Sequence, residues 1–227
     1  MTETEQDRWL KVRRIWQIID RLRGESGCPW DRKQTPESVQ TYLVEEAHEA
    51  AAAVRSGSAG EAAEELGDLL FMVFFLIHLY EEQNSFALDE VCDLISEKMI
   101  RRHPHVFGDT AADTPQEVRD NWEKIKAAEK AAGNKSGGGG IPESLPALMR
   151  AYRILSRLSH DESNRLNDLH YQTGEFSVKS KRLLEELNDG KESTAQTVAE
   201  LLMSLVNLAR IKGFRAEDIL HDRLRSA

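Results

Sequence analysis

The sequence predicts an all-α protein, and three observations carry that prediction. Its six prolines fall at Pro29, Pro36, Pro104, Pro115, Pro142 and Pro146, so residues 37–103 and 147–227 are free of the residue that most disrupts helices. Apolar residues recur at intervals of three and four, the period of a helix face. Alternating β-branched and aromatic runs bounded by turn pairs are scarce.

Each element follows from its own signals. Leu10, Ile15, Ile18, Ile19 and Leu22 mark a helix over 6–23,. Helices over 37–55 and 59–82 are separated by Ser56, Gly57 and Ser58, a loop short enough to fold them into an antiparallel hairpin,. Val91, Leu94, Ile95 and Met99 mark a helix over 86–101. Thr114 is a good N-cap for a helix over 115–131, with Pro115 at its first position and Glu117 placed to close a capping box,. Residues 133–141 contain four consecutive glycines and read as a flexible linker,. Helices are expected again over 143–158, 175–187, 194–211 and 217–224. The expected organisation is a first helical unit over 1–132, the linker over 133–141, and a second unit over 142–227. Both halves share an outline of a first helix, a helix with paired glutamates, a short loop and an apolar helix, which suggests internal duplication.

Composition narrows the function. Acidic residues outnumber basic ones by 39 to 30, for a net charge of −9, so a general nucleic-acid backbone binder is excluded. The longest apolar run, Leu69 to Ile77, is far below the roughly 20 residues that span a bilayer, and no membrane association is expected. The polar start of the chain makes the cytosol the expected compartment. Cys28 and Cys92 form no CxxC pair, which argues against a disulfide scaffold or a structural zinc site.

The carboxylates demand an explanation. Glu45, Glu46 and Glu49 share one predicted helix, and Glu61, Glu64, Glu65 and Asp68 share the next. Residues three and four apart lie on one face, so Glu46 and Glu49 point together, as do Glu65 and Asp68. A tight turn between the helices lets both pairs line one groove. Glu61 and Glu64 read as a solvated face. Asp68 sits at the head of a strongly apolar helix, where a buried carboxylate would need a counter-charge. Four converging acids repel one another without a cation among them. All-oxygen ligation suits Mg²⁺ or Mn²⁺. Gly67 would let a neighbour or ligand approach Asp68. Glu45 to His48 also spells ExxH, but a di-iron centre wants two such motifs and further glutamates.

The run Gly27, Cys28, Pro29, Trp30, Asp31, with Gln34, Thr35, Tyr42, Leu43, Glu45, Glu46, Glu49 and Glu65 to Leu70, resembles the MazG nucleoside triphosphate pyrophosphohydrolases. Lys98, Arg101 to Phe107, Trp122 and Lys124 to Lys126 continue the resemblance in family order. It implies an all-α, Mg²⁺-dependent homodimeric enzyme that splits the α–β phosphoanhydride of a nucleoside triphosphate, releasing the monophosphate and pyrophosphate. It also implies that Glu46, Glu49, Glu65 and Asp68 are metal ligands, and that Glu45 is a further ligand or orients the attacking water. Lys98, Arg101 and Arg102 would hold the phosphate tail, although a basic helix end also complements the helix dipole. Trp30 and Asp31 would stack on the base or shape its pocket; Trp30 could equally pack its loop onto the bundle. His103 and His105 read as a structural turn. Pro36 stands where the family often carries a histidine.

The second half resembles the family with eroded acids. Glu185, Glu186 and Asp189 stand as candidates for the first acid motif and Glu200 for the start of the second, where Leu202 replaces the glycine and Met203 the aspartate. The expectation is a non-catalytic copy kept for packing or dimerisation. Apolar residues such as Phe71, Phe74, Phe75 and Ile77 are expected to need cover from a second copy, from this chain or another,. The rivals are a non-enzymatic helical interaction module and a narrower pyrophosphohydrolase for dUTP or a phosphoribosyl nucleotide.

Overall fold

A computed structural model describes residues 3–131, 140–189 and 193–225, and these form ten α-helices and no strand. The chain divides into two units, 1–126 and 127–227. Apart from Gly140 and Ile141, the expected linker lies outside the described residues.

The first unit is organised by α1 (Glu3–Arg23), α2 (Pro36–Ser56) and α3 (Ala59–Glu82). Pro36 occupies the first turn of α2, where its missing N–H costs nothing,. Thr35 caps that helix in a reciprocal box with Ser38,. At the hairpin turn Gly57 adopts φ 79°, a left-handed conformation that glycine reaches without strain, and Ser58 caps α3,. The core gathers Ile19 of α1, Val39 of α2, and Phe75 and Leu79 of α3, with Ile15, Phe71, Met72, Phe74 and Leu76 packed against them. Phe75 is therefore buried in, and Phe71 and Phe74 packed against, a core supplied by α1, α2 and α3 themselves, where cover from a second copy was expected; Ile77 is buried as well. The large apolar residues of α3 left exposed are Leu66, Leu70 and Val73.

The loop after α1 folds back on the helix it leaves. Cys28 N–H donates to Leu22 O at 2.8 Å. A Cβ on Gly27 would lie 2.1 Å from that same carbonyl, so the close approach requires glycine,. Helix α4 (Leu88–Arg102) is followed directly by a short helix the sequence did not signal, α5 (Pro104–Phe107). His103 joins the two, its Nδ1 donating to Met99 O at 2.6 Å. Helix α6 (Pro115–Ala131) starts at the expected box, with Glu117 N–H donating to Thr114 Oγ1 and Thr114 N–H to Glu117 Oε2.

The second unit contains α7 (Ala147–Leu158), α8 (Leu169–Asp189), α9 (Thr194–Ile211) and α10 (Ala216–Arg225). α7 starts four residues later than expected because Pro146 provides the break,. α8 starts six residues earlier. Ala151, Leu155 and Val206 form its small core. Buried Asn207 donates to Leu166 O and the Gln172 side chain and accepts from Arg210, which pins α9 to the loop before α8. Among the described residues no helix is long and apolar enough to cross a membrane.

Candidate active site

The hairpin of α2 and α3 carries both acid pairs on facing surfaces. Carboxylate oxygens of Glu46, Glu49 and Glu65 all lie within 4.8 Å of one another. Partial burial first, then the charges of Asp68, Glu49, Glu65 and Glu45, push the Glu46 carboxyl above the ordinary range,. Glu65 is pushed the same way, first by burial, then by Glu49, Asp68 and Glu64, and by a carboxyl–carboxylate hydrogen bond with Glu49. The charges that push these two glutamates upward come from neighbouring carboxylates. Oxygen donors crowded at this spacing are what a hard divalent cation takes, and its charge would relieve the repulsion.

Asp68 acts on Glu46 and Glu65 from one turn further along α3, outside the tightest trio. It is exposed, not buried as its apolar helix suggested. The apolar residues that reach the core begin at Phe71, a turn later. A Cβ on Gly67 would meet nothing within 4 Å, so the surface beside Asp68 is open. Glu45 flanks the trio on the exposed side of α2. Glu61 lies at the start of α3, where it accepts from Ser56 Oγ at 3.1 Å and is exposed, as a solvated end should be.

Trp30 rests edge-on against Tyr42, with ring centroids 5.9 Å apart, and stays 54% exposed. Tyr42 precedes Glu46 and Glu49 by four and seven residues, which places all three on one face of α2. The loop aromatic therefore lies on the face that carries the acids. Asp31 opens a 3-10 turn (Asp31–Lys33) directly after it. Arg101 and Arg102 lie in the last turn of α4, with Lys98 just before it. Trp122 of α6 packs near His103 at 6.2 Å, and Lys126 lies 4.5 Å above its ring.

The second hairpin answers the same problem differently. The α8 residue that meets Glu200 is Arg182, with Nη2 donating to Oε2 at 2.5 Å and Nε to Thr197 Oγ1 at 3.2 Å. Three residues earlier Lys179 donates to Ser204 Oγ at 3.1 Å and acts on Glu200. Hydrogen bonding to Arg182 holds the Glu200 carboxyl below its usual range, the opposite of Glu65. Lys179 and Arg182 thus face α9 at the interval at which Glu46 and Glu49 face α3. Glu185, Glu186 and Asp189, expected in those positions, lie further along α8. Glu186 is buried at 7% exposure beside Arg182, at 3.7 Å.

The family described as "MazG nucleotide pyrophosphohydrolase domain" matches residues 34–107, which span α2, α3 and α4 with all the acids of the first hairpin. A nucleoside triphosphate pyrophosphohydrolase of Escherichia coli (strain K12) is 36% identical over 222 residues, covering 91% of this chain and 80% of that one. A nucleoside triphosphate pyrophosphohydrolase/pyrophosphatase of Thermotoga maritima is 37% identical over 210 residues, covering 92% and 79%. Among solved structures, a mazG-related protein from Thermotoga maritima aligns with a TM-score of 0.45 at 27% identity, over 51% of this chain and 98% of that one.

Proposed function

Since the chain belongs to the MazG nucleotide pyrophosphohydrolase family, we propose that its first hairpin is the centre where nucleoside triphosphates are hydrolysed to the monophosphate and pyrophosphate. The observation that carries this reading is the Glu46, Glu49 and Glu65 trio, three carboxylates held within 4.8 Å of one another, with neighbouring carboxylates pushing Glu46 and Glu65 above the ordinary range. With Asp68 they would hold Mg²⁺, or Mn²⁺ in its place. When bound, the ion neutralises phosphate charge and favours in-line attack by water at the α-phosphorus.

The chain's own residues supply the rest. Glu45, exposed beside the trio, is placed to orient the attacking water or add a ligand. Lys98, Arg101 and Arg102 supply positive charge for the triphosphate tail. Trp30, exposed on the acid-bearing face of α2, offers a stacking surface to the base, and Asp31 shapes the adjoining pocket. The second hairpin is a non-catalytic copy in which Arg182 and Lys179 take the place of a metal ion.

A homodimer is the working assembly. Leu66, Leu70 and Val73, spaced by four and three residues, form an exposed apolar stripe on α3, and such a stripe calls for cover. Sedimentation should give twice the 25.7 kDa of one chain; a monomer at micromolar concentration would remove this part of the reading. The activity itself is tested by pyrophosphate release from the common and damaged nucleoside triphosphates. Release that requires Mg²⁺ is expected. A folded protein that releases none would instead be a helical interaction module, and turnover confined to dUTP or a phosphoribosyl nucleotide would mark a narrower enzyme.

A further inference from the structure

We infer that Arg23 is a positioning residue for nucleotide binding: it ties the backbone of Asp31 and Gln34 to the end of α3 and so sets where Trp30 lies on the acid-bearing face of α2. The inference rests on the proposed role of Trp30 as the base platform.

Arg23 is the last residue of α1, yet its side chain is only 10% exposed. Its guanidinium makes a two-pronged pair with Glu82, Nε to Oε1 at 2.8 Å and Nη2 to Oε2 at 2.6 Å. The remaining edge faces the loop, where Nη1 donates to Asp31 O and, at 3.4 Å, to Gln34 O. The plane also lies 5.6 Å from the Phe75 ring. One rigid fork therefore joins α1, α3 and the loop that leads into α2.

Both ends of this strut are fixed. His78 lies between Asp20, at 2.9 Å, and Glu82, at 3.5 Å. Gln34 donates to Trp30 O at 3.2 Å and accepts from Ser38 Oγ at 2.6 Å, which carries the constraint from Arg23 to the Trp30 backbone and the first turn of α2. A loop stretched between a glycine contact at Gly27 and the Thr35 cap has few other long-range anchors. Loss of the fork removes the donor to Gln34 O and leaves Asp31 O only its local bond from Gln34 N–H, and so frees the segment that presents the indole.

A double-mutant cycle on the full chain, with ATP and Mg²⁺, tests this. Trp30→Ala should raise KM about tenfold, the size of one aromatic–base stacking contact. Arg23→Gln should raise KM to a similar degree with kcat changed far less, and should add nothing further on the Trp30→Ala background. Mg²⁺ affinity without nucleotide should not change, because the carboxylates are untouched. Arg23→Lys, which keeps the charge but not the fork, should fall between parent and Arg23→Gln; if Arg23→Gln does not fold, Arg23→Lys carries the same cycle. Full additivity of the two substitutions, or a fall in kcat at constant KM, would overturn the role of Arg23. An unchanged KM in Trp30→Ala alone would instead remove the base platform.

Discussion

Glu49→Gln is expected to reduce turnover of nucleoside triphosphates at least about a hundredfold, the scale of losses that follow when reacting groups are misplaced by an ångström. Glu49 is the member of the trio that both crowds Glu46 and shares a hydrogen bond with Glu65, so neutralising it removes a ligand and loosens two others. Because the substitution also removes repulsion, the metal-free variant should melt no lower than the parent. Loss of activity without loss of stability separates a site built for a bound cation from a residue that holds the fold. Asp68→Asn should behave alike, with its helical signal retained. Thermal scans and steady-state rates on the same preparations check both; a variant that keeps more than about a tenth of parental turnover would contradict the assignment.

The second large effect lies in the other hairpin and has the opposite character. Arg182→Met should destabilise the protein by about 1–3 kcal/mol, the cost of stranding a buried polar group, since Glu186 is buried beside it and has one carboxylate oxygen without a partner even in the parent. In a chain of this length the melting temperature should fall by several degrees. Turnover per folded molecule at low temperature should stay near the parental value. Glu186→Gln should likewise leave turnover unchanged. A loss of activity in Arg182→Met at full stability would show that the second hairpin takes part in catalysis.

The contrast between the hairpins also shows what the sequence could and could not convey. Glu46 with Glu49 and Glu65 with Asp68 were legible because helical spacing puts each pair on one face, and the Ser56 to Ser58 turn brings the faces together. In the second hairpin the sequence points to the acids Glu185, Glu186 and Asp189, while the α8 side chains that meet α9 include Arg182 and Lys179. Glu49 precedes Glu65 by 16 residues, and the same interval counted back from Glu200 falls between Arg182 and Glu186, so spacing alone does not choose between them; the folded hairpin sets Arg182 against Glu200. Asp68 looked buried because α3 is apolar on average, but the core is filled from Phe71 onward. Arg23 left no sequence signal, since an arginine in a last helical turn normally complements the dipole. Its fork depends on Glu82, 59 residues away, and only the folded chain brings them together.

The central claim is that a divalent cation sits among the carboxylates of α2 and α3. Titration calorimetry of Mg²⁺ into the intact protein, with and without a non-hydrolysable nucleoside triphosphate, addresses it directly when run beside Glu49→Gln. The account predicts binding to the parent that strengthens with nucleotide and is lost in the variant. No heat of binding to the parent under either condition, or equal binding to parent and variant, would contradict it.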